Sequence, residues 1–458
     1  MIHSRFILCF ICLSLLACKQ QRVISKEGIL IKDVTLISMN EDKVIAPQSV
    51  FIENQKIVSI GAVIKGINPE IIIEGSGKYL MPGLTEMHAH IPVPKDGNTS
   101  LVEETLFLYL SQGITTIRGM LGDPYHLTLK QLVEDGKMLG PRIYTASPSM
   151  NGNNLTSPDI AKSRVIQYQQ KGYDFLKIHP GIPLEVWNTL ESTAKQVGIP
   201  YAGHVPTAVG IHRALEAQYQ TIDHLDGYLE GLVPIALNVD PNSNGFFGYG
   251  FTELLDASLL SDLVAKTKQL GVAVVPTQTL FTRWYSPQPA AELVNDPEMK
   301  YMSPKTRYAW RQSKERMVGD DLYTAKKWET FIAIRKQLLL EMHQQGVTIL
   351  LGSDAPQVFN VPGFSIHREM QTMSEAGMPN KAILESGTIQ PARFFKAENE
   401  YGSIKPGAFA DLILLDENPL ENIQSTIAIR GVMVKGQWLS KTKIDQRLGE
   451  IAKAYLED

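Results

Sequence analysis

Eight short apolar segments, most of them separated by amphipathic stretches, constrain the fold of this 458-residue chain more than any other feature. The intervening stretches often end in glycine, as helices do. Eight strand–helix units predict an α/β chain with a (β/α)8 TIM barrel, whose active site lies at the carboxyl ends of the strands. The predicted strands are Tyr79–His90, Ile114–Met120, Arg142–Ser147, Phe175–His179, Tyr201–Val205, Thr221–Asp226, Val272–Thr277 and Thr348–Ser353.

Short segments rich in β-branched residues also lie near both ends of the chain, at 28–74 and again at 411–439. Tight turns of Asn, Gly or Pro close these segments, so they read as strands. The sequence therefore predicts one small β-sandwich domain assembled from both chain ends. The predicted boundaries are 18–80 and 397–440 for the β-sandwich, 81–396 for the barrel, and 441–458 for a C-terminal helix.

The first 17 residues have the form of an export signal. Arg5 precedes an unbroken apolar run from Phe6 to Leu16, which is too short to span a bilayer as a mature helix. The run ends in Leu15-Leu16-Ala17-Cys18 and resembles a bacterial lipoprotein signal, whose cysteine is lipidated and becomes the new N-terminus. This implies an exported protein, anchored at Cys18 to a bacterial membrane and facing the periplasm or the exterior. A plain secretory peptide with an incidental cysteine is the alternative.

Cysteine usage and charge narrow the chemistry that is open to the rest of the chain. All three cysteines, Cys9, Cys12 and Cys18, lie in the leader, so the mature body has no thiolate ligand and no disulfide. The formal net charge is −4 and no run of lysine or arginine occurs, which argues against nucleic acid as a partner. Metal ligands and nucleophiles must therefore come from His, Asp, Glu, Lys, Ser or water.

Two histidines close the first predicted strand, in the stretch Met81-Pro82-Gly83-Leu84-Thr85-Glu86-Met87-His88-Ala89-His90. Residues i and i+2 of an extended strand point to the same face, so His88 and His90 aim two imidazoles at one point. Such a pair can begin a metal site, although His-x-His pairs also occur by chance on surface strands.

Four further predicted strands deliver polar side chains to the same end. The fourth carries Lys177 inside an apolar run, where a charged side chain is out of place, and the fifth and sixth end at His204 and His224. The eighth ends at Asp354. Each residue has a simpler alternative: hydrogen-bonded core histidines, a lysine paired with Asp or Glu, and a helix N-cap. Six such residues at one end of one barrel favour a metal site over six separate structural roles.

Together these residues resemble the amidohydrolase superfamily, and the resemblance covers nearly everything after the leader. Its motifs include Pro-Gly-Leu-x-x-x-His-x-His at 82–90, Gly352-Ser353-Asp354, and Gly387-Thr388-Ile389-Gln390-Pro391-Ala392. The run Gly-Ser-Ile-Lys-Pro-Gly-Ala-Phe-Ala-Asp-Leu at 402–412 completes the set. The last two motifs resemble the branch that contains imidazolonepropionases and Xaa-Pro dipeptidases.

The resemblance implies two divalent metal ions, most often zinc. The implied ligands are His88, His90 and Asp354 for one ion and His204 and His224 for the other. Lys177 would bridge both ions as a carbamate formed with carbon dioxide. Two zinc ions that share a hydroxide make a nucleophile available near neutral pH and polarise a bound carbonyl. Asp354 would also be catalytic, taking the proton as the hydroxide attacks and passing it to the departing amine.

The lysine also narrows the reaction that the resemblance implies. Single-metal members such as cytosine and adenosine deaminases lack it, so Lys177 favours two metals and hydrolysis of an amide bond, as in a dipeptidase or carboxypeptidase. The substrate would be a dipeptide or another small molecule. Opening of a cyclic amide or lactone, as in imidazolonepropionase, is the first alternative, and a catalytically inactive lipid-anchored binding protein is the second. The sequence leaves the oligomeric state open.

Three residues are predicted to contact the substrate. His179 shares a strand face with Lys177 and would either support a ligand or contact the substrate, and Arg118, at the end of the second strand, would meet a substrate carboxylate. Tyr228, four residues past His224, resembles a substrate-contacting tyrosine of related peptidases. A structural ion pair is the alternative for Arg118. Two connections, 230–253 and 281–321, are too long for turns and follow strands, so both are predicted to lie over the mouth of the barrel.

We predict that Cys18→Ser abolishes lipid attachment and moves the protein from the membrane fraction to the soluble fraction, because the thioether-linked lipid is its anchor. Immunoblotting of fractionated cells measures this, with Cys12→Ser as the matched control that stays in the membrane fraction. A Cys18→Ser protein that still fractionates with membrane after mild extraction would contradict anchoring at this position.

Overall fold

The computed structural model describes residues 28–40 and 45–456. The predicted signal peptide and Cys18 lie outside the described residues. Within those two ranges, no helix combines the length and the apolar character that crossing a membrane requires.

Strands and helices alternate through the middle of the chain. The strands are β1 (Ile29–Leu36), β2 (Ile45–Glu53), β3 (Lys56–Gly61), β4 (Ile71–Glu74), β5 (Tyr79–Pro82), β6 (Leu84–Ala89), β7 (Ile114–Gly119), β8 (Arg142–Thr145), β9 (Leu176–Ile178), β10 (Tyr201–Gly203), β11 (Thr221–Asp223), β12 (Ala273–Val275), β13 (Leu412–Leu415), β14 (Ile429–Val434) and β15 (Gln437–Ser440). The α-helices are α1 (Ser100–Ser111), α2 (Pro124–Glu134), α3 (Pro158–Gln170), α4 (Leu184–Val197), α5 (Gly210–Glu216), α6 (Tyr228–Gly231), α7 (Leu260–Gln269), α8 (Gln278–Arg283), α9 (Ala290–Leu293), α10 (Pro304–Val318), α11 (Ala325–Gln344), α12 (Phe364–Glu375), α13 (Asn380–Ser386), α14 (Ile389–Phe394) and α15 (Lys441–Ala454).

One eight-stranded sheet joins the two ends of the chain. It contains β1–β5 together with β13–β15, in the order β15-β14-β13-β5-β1-β2-β3, with β4 paired to β1. β13 runs antiparallel to β5, so that Leu412 lies opposite Pro82. Ile31, Val34 and Leu36 of β1 are buried in the same apolar cluster as Leu412. A small β unit built from both ends is therefore present, whereas its description as a sandwich stays a prediction.

Seven parallel strands form two further sheets, β6-β7-β8 and β9-β10-β11-β12. An isolated parallel bridge between Ala146 and Phe175 links the end of β8 to the start of β9. Other bridges join Ile349 to β12 and Ala355 to β6. The carboxyl ends of these strands therefore share one side of the molecule, because neighbouring parallel strands end on the same side.

Two predicted strands differ from the structure. The first, predicted as Tyr79–His90, is divided at Gly83 into β5 of the small sheet and β6 of the parallel set. The eighth, predicted as Thr348–Ser353, makes bridges but no regular ladder. It runs into Asp354, whose backbone is left-handed at φ 61°, and then into Pro356, which has no N–H to donate.

The junction at Gly83 depends on the absence of a side chain. A Cβ added there would lie 2.1 Å from Thr115 Oγ1 and 2.8 Å from Thr115 Cβ on β7. The Gly83 N–H also donates a 2.8 Å hydrogen bond to Asp411 O, just before β13. Glycine at position 83 thus allows the chain to pass from the small sheet into the parallel strands in close contact with β7. This close contact explains why a glycine follows Pro82 in the motif.

We expect Gly83→Ala to lower the free energy of unfolding by about 1–3 kcal/mol, because the added methyl overlaps Thr115. The second variant, Thr115→Gly, removes the side chain that the methyl would meet, so the double variant should lose less than the sum of the two single losses. Urea unfolding followed by circular dichroism measures both.

Gly449→Ala is the matched control, since it adds the same methyl on α15 with no atom within 4 Å. Replacing a helical glycine there should leave stability unchanged or raise it by up to about 1 kcal/mol. Additive losses in the Gly83 and Thr115 cycle would contradict the proposed overlap.

Candidate metal centre

Three predicted ligands meet at one point beside β6. His88 lies within β6 and His90 directly after it, with ring centroids 5.5 Å apart. Asp354 Oδ1 lies 2.7 Å from His90 Nε2 and 3.5 Å from His88 Nε2. One ligand atom from each of the three residues can be chosen so that all lie within 4.8 Å of one another. Two imidazoles and a carboxylate at this spacing suit a divalent cation.

Asp223 and Arg118 support His88 from the interior. Asp223 Oδ2 lies 3.0 Å from His88 Nδ1, and Asp223 Oδ1 accepts a 3.1 Å hydrogen bond from Arg118 Nη2. Arg118 Nε donates to Met87 O at 2.7 Å. Arg118 is fully buried, and its position matches the alternative of a structural ion pair. Its predicted role as a substrate contact stays a prediction.

Glu86 is a site residue that the sequence reasoning missed. Its carboxyl group is buried beneath the first two histidines, where Oε1 accepts from the His88 N–H at 2.9 Å and the Ser353 N–H at 2.8 Å. Burial raises the pKa of Glu86 to about 8, and these hydrogen bonds act in the opposite direction. Glu86 therefore fastens β6 to the segment that carries Asp354. A carboxylate two residues before His88, on the same strand face, was the available signal.

Lys177 lies in the middle of β9 with only 1% of its surface exposed. Its Nζ has no hydrogen-bond partner among the described residues. Burial lowers the pKa of Lys177 to about 8, although the nearby Asp223 and Asp354 carboxylates act to raise it. Room for the amine comes from Gly203 on β10, where a Cβ would lie 3.2 Å from Lys177 Nζ. A buried amine that has a lowered pKa and no hydrogen-bond partner is partly deprotonated near neutral pH and can react as a nucleophile.

His204 and His224 form the second predicted pair, with ring centroids 4.8 Å apart. His204 Nδ1 lies 3.1 Å from Asp226 Oδ2, and His224 Nδ1 lies 2.8 Å from Thr277 Oγ1. A carboxylate that accepts the Nδ1 proton leaves Nε2 as a lone pair for a cation. Sequence analysis did not identify Asp226 or Thr277, because a backing residue on a neighbouring strand has no fixed spacing from its histidine.

The left-handed backbone at the second pair is held from outside the strands. His224 has φ 65° and Thr277 has φ 46°, conformations that cost free energy for residues other than glycine. Arg335, from α11, donates from Nη2 to His224 O at 2.7 Å and to Pro276 O at 3.2 Å. The fully buried Arg335 thereby holds the backbone at His224 and at Pro276 in place, and this backbone orients the ring of His224.

Five imidazoles form a continuous row across the ends of the strands. In order, the rings are His90, His88, His224, His204 and His179, with successive centroids 5.5, 4.5, 4.8 and 5.0 Å apart. Burial lowers the pKa of His204 to about 3 and that of His179 to about 2, with the Lys177 charge as the next cause in each. Neutral imidazole is the form that binds metal, and these lowered pKa values favour that form at His204 and His179.

The donor set therefore fits a divalent metal centre. Four histidines, an aspartate and a buried amine without a hydrogen-bond partner lie close together, and imidazole nitrogens and carboxylate oxygens are ligands that a divalent ion such as zinc takes. His179 lies at the end of the row, and Ser149 Oγ lies 2.8 Å from its Nδ1. Its role as a substrate contact stays a prediction.

The structure places Tyr228 away from the row of histidines. Its side chain is fully buried, and its hydroxyl pairs with Thr267 Oγ1 at 3.0 Å on α7. A resemblance to related peptidases suggested this tyrosine, and its role as a substrate contact stays a prediction without support from this position. The turn after His224, with Gly227 at φ 80°, directs α6 and Tyr228 into the packing against α7.

An aromatic residue missed by the sequence reasoning covers the second histidine pair. Phe247, in the connection 230–253, has its ring centroid 5.6 Å from that of His204 and 5.2 Å from that of His224. This places the first long connection against the site, as expected. The second connection, 281–321, contains α9 and α10 and reaches the first through ring contacts of Trp284 and Tyr285 with Phe246.

Comparisons with known proteins agree with this geometry. The 5-methylthioadenosine/S-adenosylhomocysteine deaminase of Caldanaerobacter subterraneus subsp. tengcongensis is 23% identical over 417 residues, which cover 85% of each chain. Among solved structures, bottromycin amidohydrolase has a TM-score of 0.71 at 20% identity, covering 93% of this chain and 90% of that one. A Xaa-Pro dipeptidase with bound methionine has a TM-score of 0.64 at 21% identity, covering 90% and 100%.

These structural likenesses are distant and establish the fold alone. The family assignment comes from the match of the amidohydrolase family to residues 79–439, which is well over half of the chain and includes every histidine of the row. On that match the chain belongs to the amidohydrolase family, and it is a metal-dependent hydrolase that acts on carbon–nitrogen bonds.

Proposed function

We propose that the enzyme hydrolyses an amide bond in a small, peptide-like substrate, as dipeptidases do. The observation that carries the proposal is Lys177, whose amine is buried without a partner between the two histidine groups. A lone lysine in such a place is costly unless it is neutral or modified. Its carbamate would carry a negative charge shared by two oxygens. That charge would balance part of the positive charge of two metal ions, and the oxygens would be ligand atoms in addition to those of the histidines and Asp354.

Two divalent ions, taken here as zinc, would be held by the residues predicted for them. His88, His90 and Asp354 would hold the first, His204 and His224 the second, and carboxylated Lys177 both. When bound, such ions activate water near neutral pH and polarise a carbonyl.

Carboxylation of Lys177 needs the free amine. Nζ attacks the carbon of carbon dioxide, an N–C bond forms, and one proton leaves to solvent or to a neighbouring base. The lowered pKa of Lys177, about 8, makes a useful fraction of free amine available at neutral pH. Room for the added carboxyl group comes from Gly203, which has no side chain beside the amine.

Asp354 is the proposed proton carrier. Its Oδ1 faces His90 Nε2 at 2.7 Å, and its side chain is buried at the carboxyl ends of the strands. Asp354 would accept the proton of the attacking water and deliver it to the departing nitrogen. An amine leaves poorly unless protonated, so this transfer matters more for amides than for activated esters.

The finer architecture and the location belong to the same proposal. The bridges of Ile349 and Ala355 support closure of the parallel strands into an eight-stranded barrel, with residues 81–396 as that domain. A sandwich built from 18–80 and 397–440 would flank it, and a lipid at Cys18 would hold the enzyme on the outer side of a bacterial membrane.

Deamination is the second candidate, because the curated relatives from Caldanaerobacter and Thermoanaerobacter are named as deaminases at 23% and 22% identity. The two reactions differ in the nitrogen product. Two assays separate them. A library of dipeptides and N-acyl amino acids is assayed for release of primary amine, and 5-methylthioadenosine and adenine are assayed for release of ammonia. Ammonia release without amide cleavage would replace the first proposal with the second. Opening of a cyclic amide or lactone, which the same water activation allows, appears in neither assay and is followed by chromatography of the ring-opened acid.

We predict that Lys177→Ala loses most bound metal and reduces activity to background, because the bridging oxygens are gone. Bicarbonate with a short carboxylic acid should restore part of both. The measurements are metal content by mass spectrometry and a carbamate carbon signal from 13C-labelled bicarbonate by NMR, present in the wild type and absent in the variant.

Lys171→Ala, which removes an exposed lysine just after α3, is the control and should keep metal, signal and activity. Two metal equivalents and full activity in Lys177→Ala would rule out the bridging role.

For Asp354→Asn we expect metal to be largely retained and amide hydrolysis to fall by roughly 10²–10⁴-fold, with a much smaller loss on an activated ester. Asparagine keeps an oxygen ligand and tolerates the left-handed backbone at this position (φ 61°), but it cannot carry the proton. Values of kcat/KM on matched amide and ester substrates test this.

Asp123→Asn serves as the control, because the Asp123 side chain caps α2 and asparagine caps equally well. Equal losses on amide and ester in Asp354→Asn would reduce Asp354 to a ligand, and His179 would be the next residue to test as proton carrier.

A further inference from the structure

Phe247 lies against the metal centre but belongs to none of its ligand or backing groups. Its ring faces His204 and His224 at centroid distances of 5.6 and 5.2 Å, and the side chain is half-buried. Phe281, whose ring centroid lies 5.1 Å from that of Phe247, is by contrast fully buried in the core. Phe247 is thus a partly exposed aromatic residue whose ring lies beside the imidazoles of two candidate metal ligands.

The backbone that carries this ring is strained. Phe247 has φ 52°, and the flanking Gly245 and Gly248 have φ 66° and 78°. A left-handed backbone is unfavourable for a residue other than glycine, yet it falls here on an aromatic residue. The glycines beside it allow the chain to turn so that the ring is directed at the histidines.

Contacts on both sides of Phe247 fix the segment in place. Phe246 packs between Tyr285, stacked at 5.0 Å, and Trp284, edge-on at 4.9 Å. Asn244 Nδ2 donates to Glu230 Oε1 at 2.7 Å, and the Tyr249 hydroxyl donates to Thr324 O at 3.1 Å. These contacts hold the segment in place, so the half-buried ring of Phe247 forms a fixed wall of the site.

We infer that the substrate carries an aromatic or similarly flat apolar group next to its scissile C–N bond, and that Phe247 binds this group. The inference rests on the proposed function, since it concerns the same site. A flat apolar group gains binding free energy from contact with a preformed ring face beyond what its buried area contributes. A charged or strongly polar group in that position would lose water against a phenyl ring that offers no hydrogen bond.

Hydroxamates test the inference without turnover, because they bind metal centres through the same two oxygens whatever group they carry. Benzohydroxamate and acetohydroxamate are titrated calorimetrically into metal-loaded wild type, Phe247→Ala and Phe247→Leu. Comparing the ratio of the two Kd values between proteins cancels the intrinsic difference between the probes. We expect the preference for benzohydroxamate to fall about tenfold in Phe247→Ala and less in Phe247→Leu, which keeps an apolar but not a flat side chain.

Tyr308→Ala is the control variant, since it removes an exposed aromatic ring on α10 and should leave the ratio unchanged. Metal content and circular dichroism of each variant establish that the site is intact. If Phe247→Ala does not load metal, Phe247→Leu alone is used. A fall in its preference for benzohydroxamate supports the inference, and an unchanged preference contradicts it.

An unchanged ratio in Phe247→Ala and Phe247→Leu overturns the inference. A ratio that falls in both variants, in an enzyme that cleaves no amide of the library, supports the aromatic subsite while the proposed amide hydrolysis fails. The two proposals are thus decided by different measurements.

Discussion

Burial of charge beneath the ends of the strands is the constraint on which the rest of the structure depends. Asp223 lies between the Arg118 guanidinium and the His88 ring, within about one hydrogen-bond length of each. Removing Arg118 would leave the Asp223 carboxylate without its buried charge partner, which is far more costly than losing a surface pair. Removing His88 would leave Asp223 with its hydrogen bonds from Arg118 and Thr221. The buried ion pair therefore joins β7 to β11 beneath the histidines, and apolar packing adds to it.

The same pattern recurs behind the other rings. Asp226 backs His204, Thr277 backs His224, and Ser149 Oγ is close to His179 Nδ1. Each of His204, His224 and His179 thus has Nδ1 beside a protein group, which orients the ring and leaves Nε2 toward the shared space. A metal centre of this kind is prepared before any ion arrives, so little reorganisation is needed on binding.

The candidate ligands were easier to name from the sequence than the groups that support them. Apolar runs predict the strands, so His88, Lys177 and His224 could be named from their order on those strands, and their role as ligands stays a prediction. Asp226 and Thr277 were missed because a supporting group acts across strands, where spacing along the chain carries no information. Tyr228 was named from a resemblance, and the tight turn that directs its side chain toward α7 cannot be predicted from composition.

Fold prediction succeeded and failed on similar grounds. Seven strands appeared where apolar β-branched runs predicted them, because such runs need burial on both faces. The eighth run ends in Gly352-Ser353-Asp354-Ala355-Pro356, where the polar ligand and the proline interrupt the ladder that the apolar residues would make. The backbone conformation of the candidate ligand Asp354 and the proline after it are incompatible with a continuous strand at that position.

The pairing of Leu412 with Pro82 has a consequence for how the chain reaches its native state. β5 leads directly into the strand that carries the first two histidines, yet its neighbour β13 comes from the far end of the sequence. During synthesis the amino-terminal strands must wait, with one edge unpaired, until almost all of the polypeptide has emerged. Contacts between such distant segments close slowly. The small sheet is therefore completed only after residues 412–415 have been synthesised, and a product that ends before β13 would lack the partner of β5.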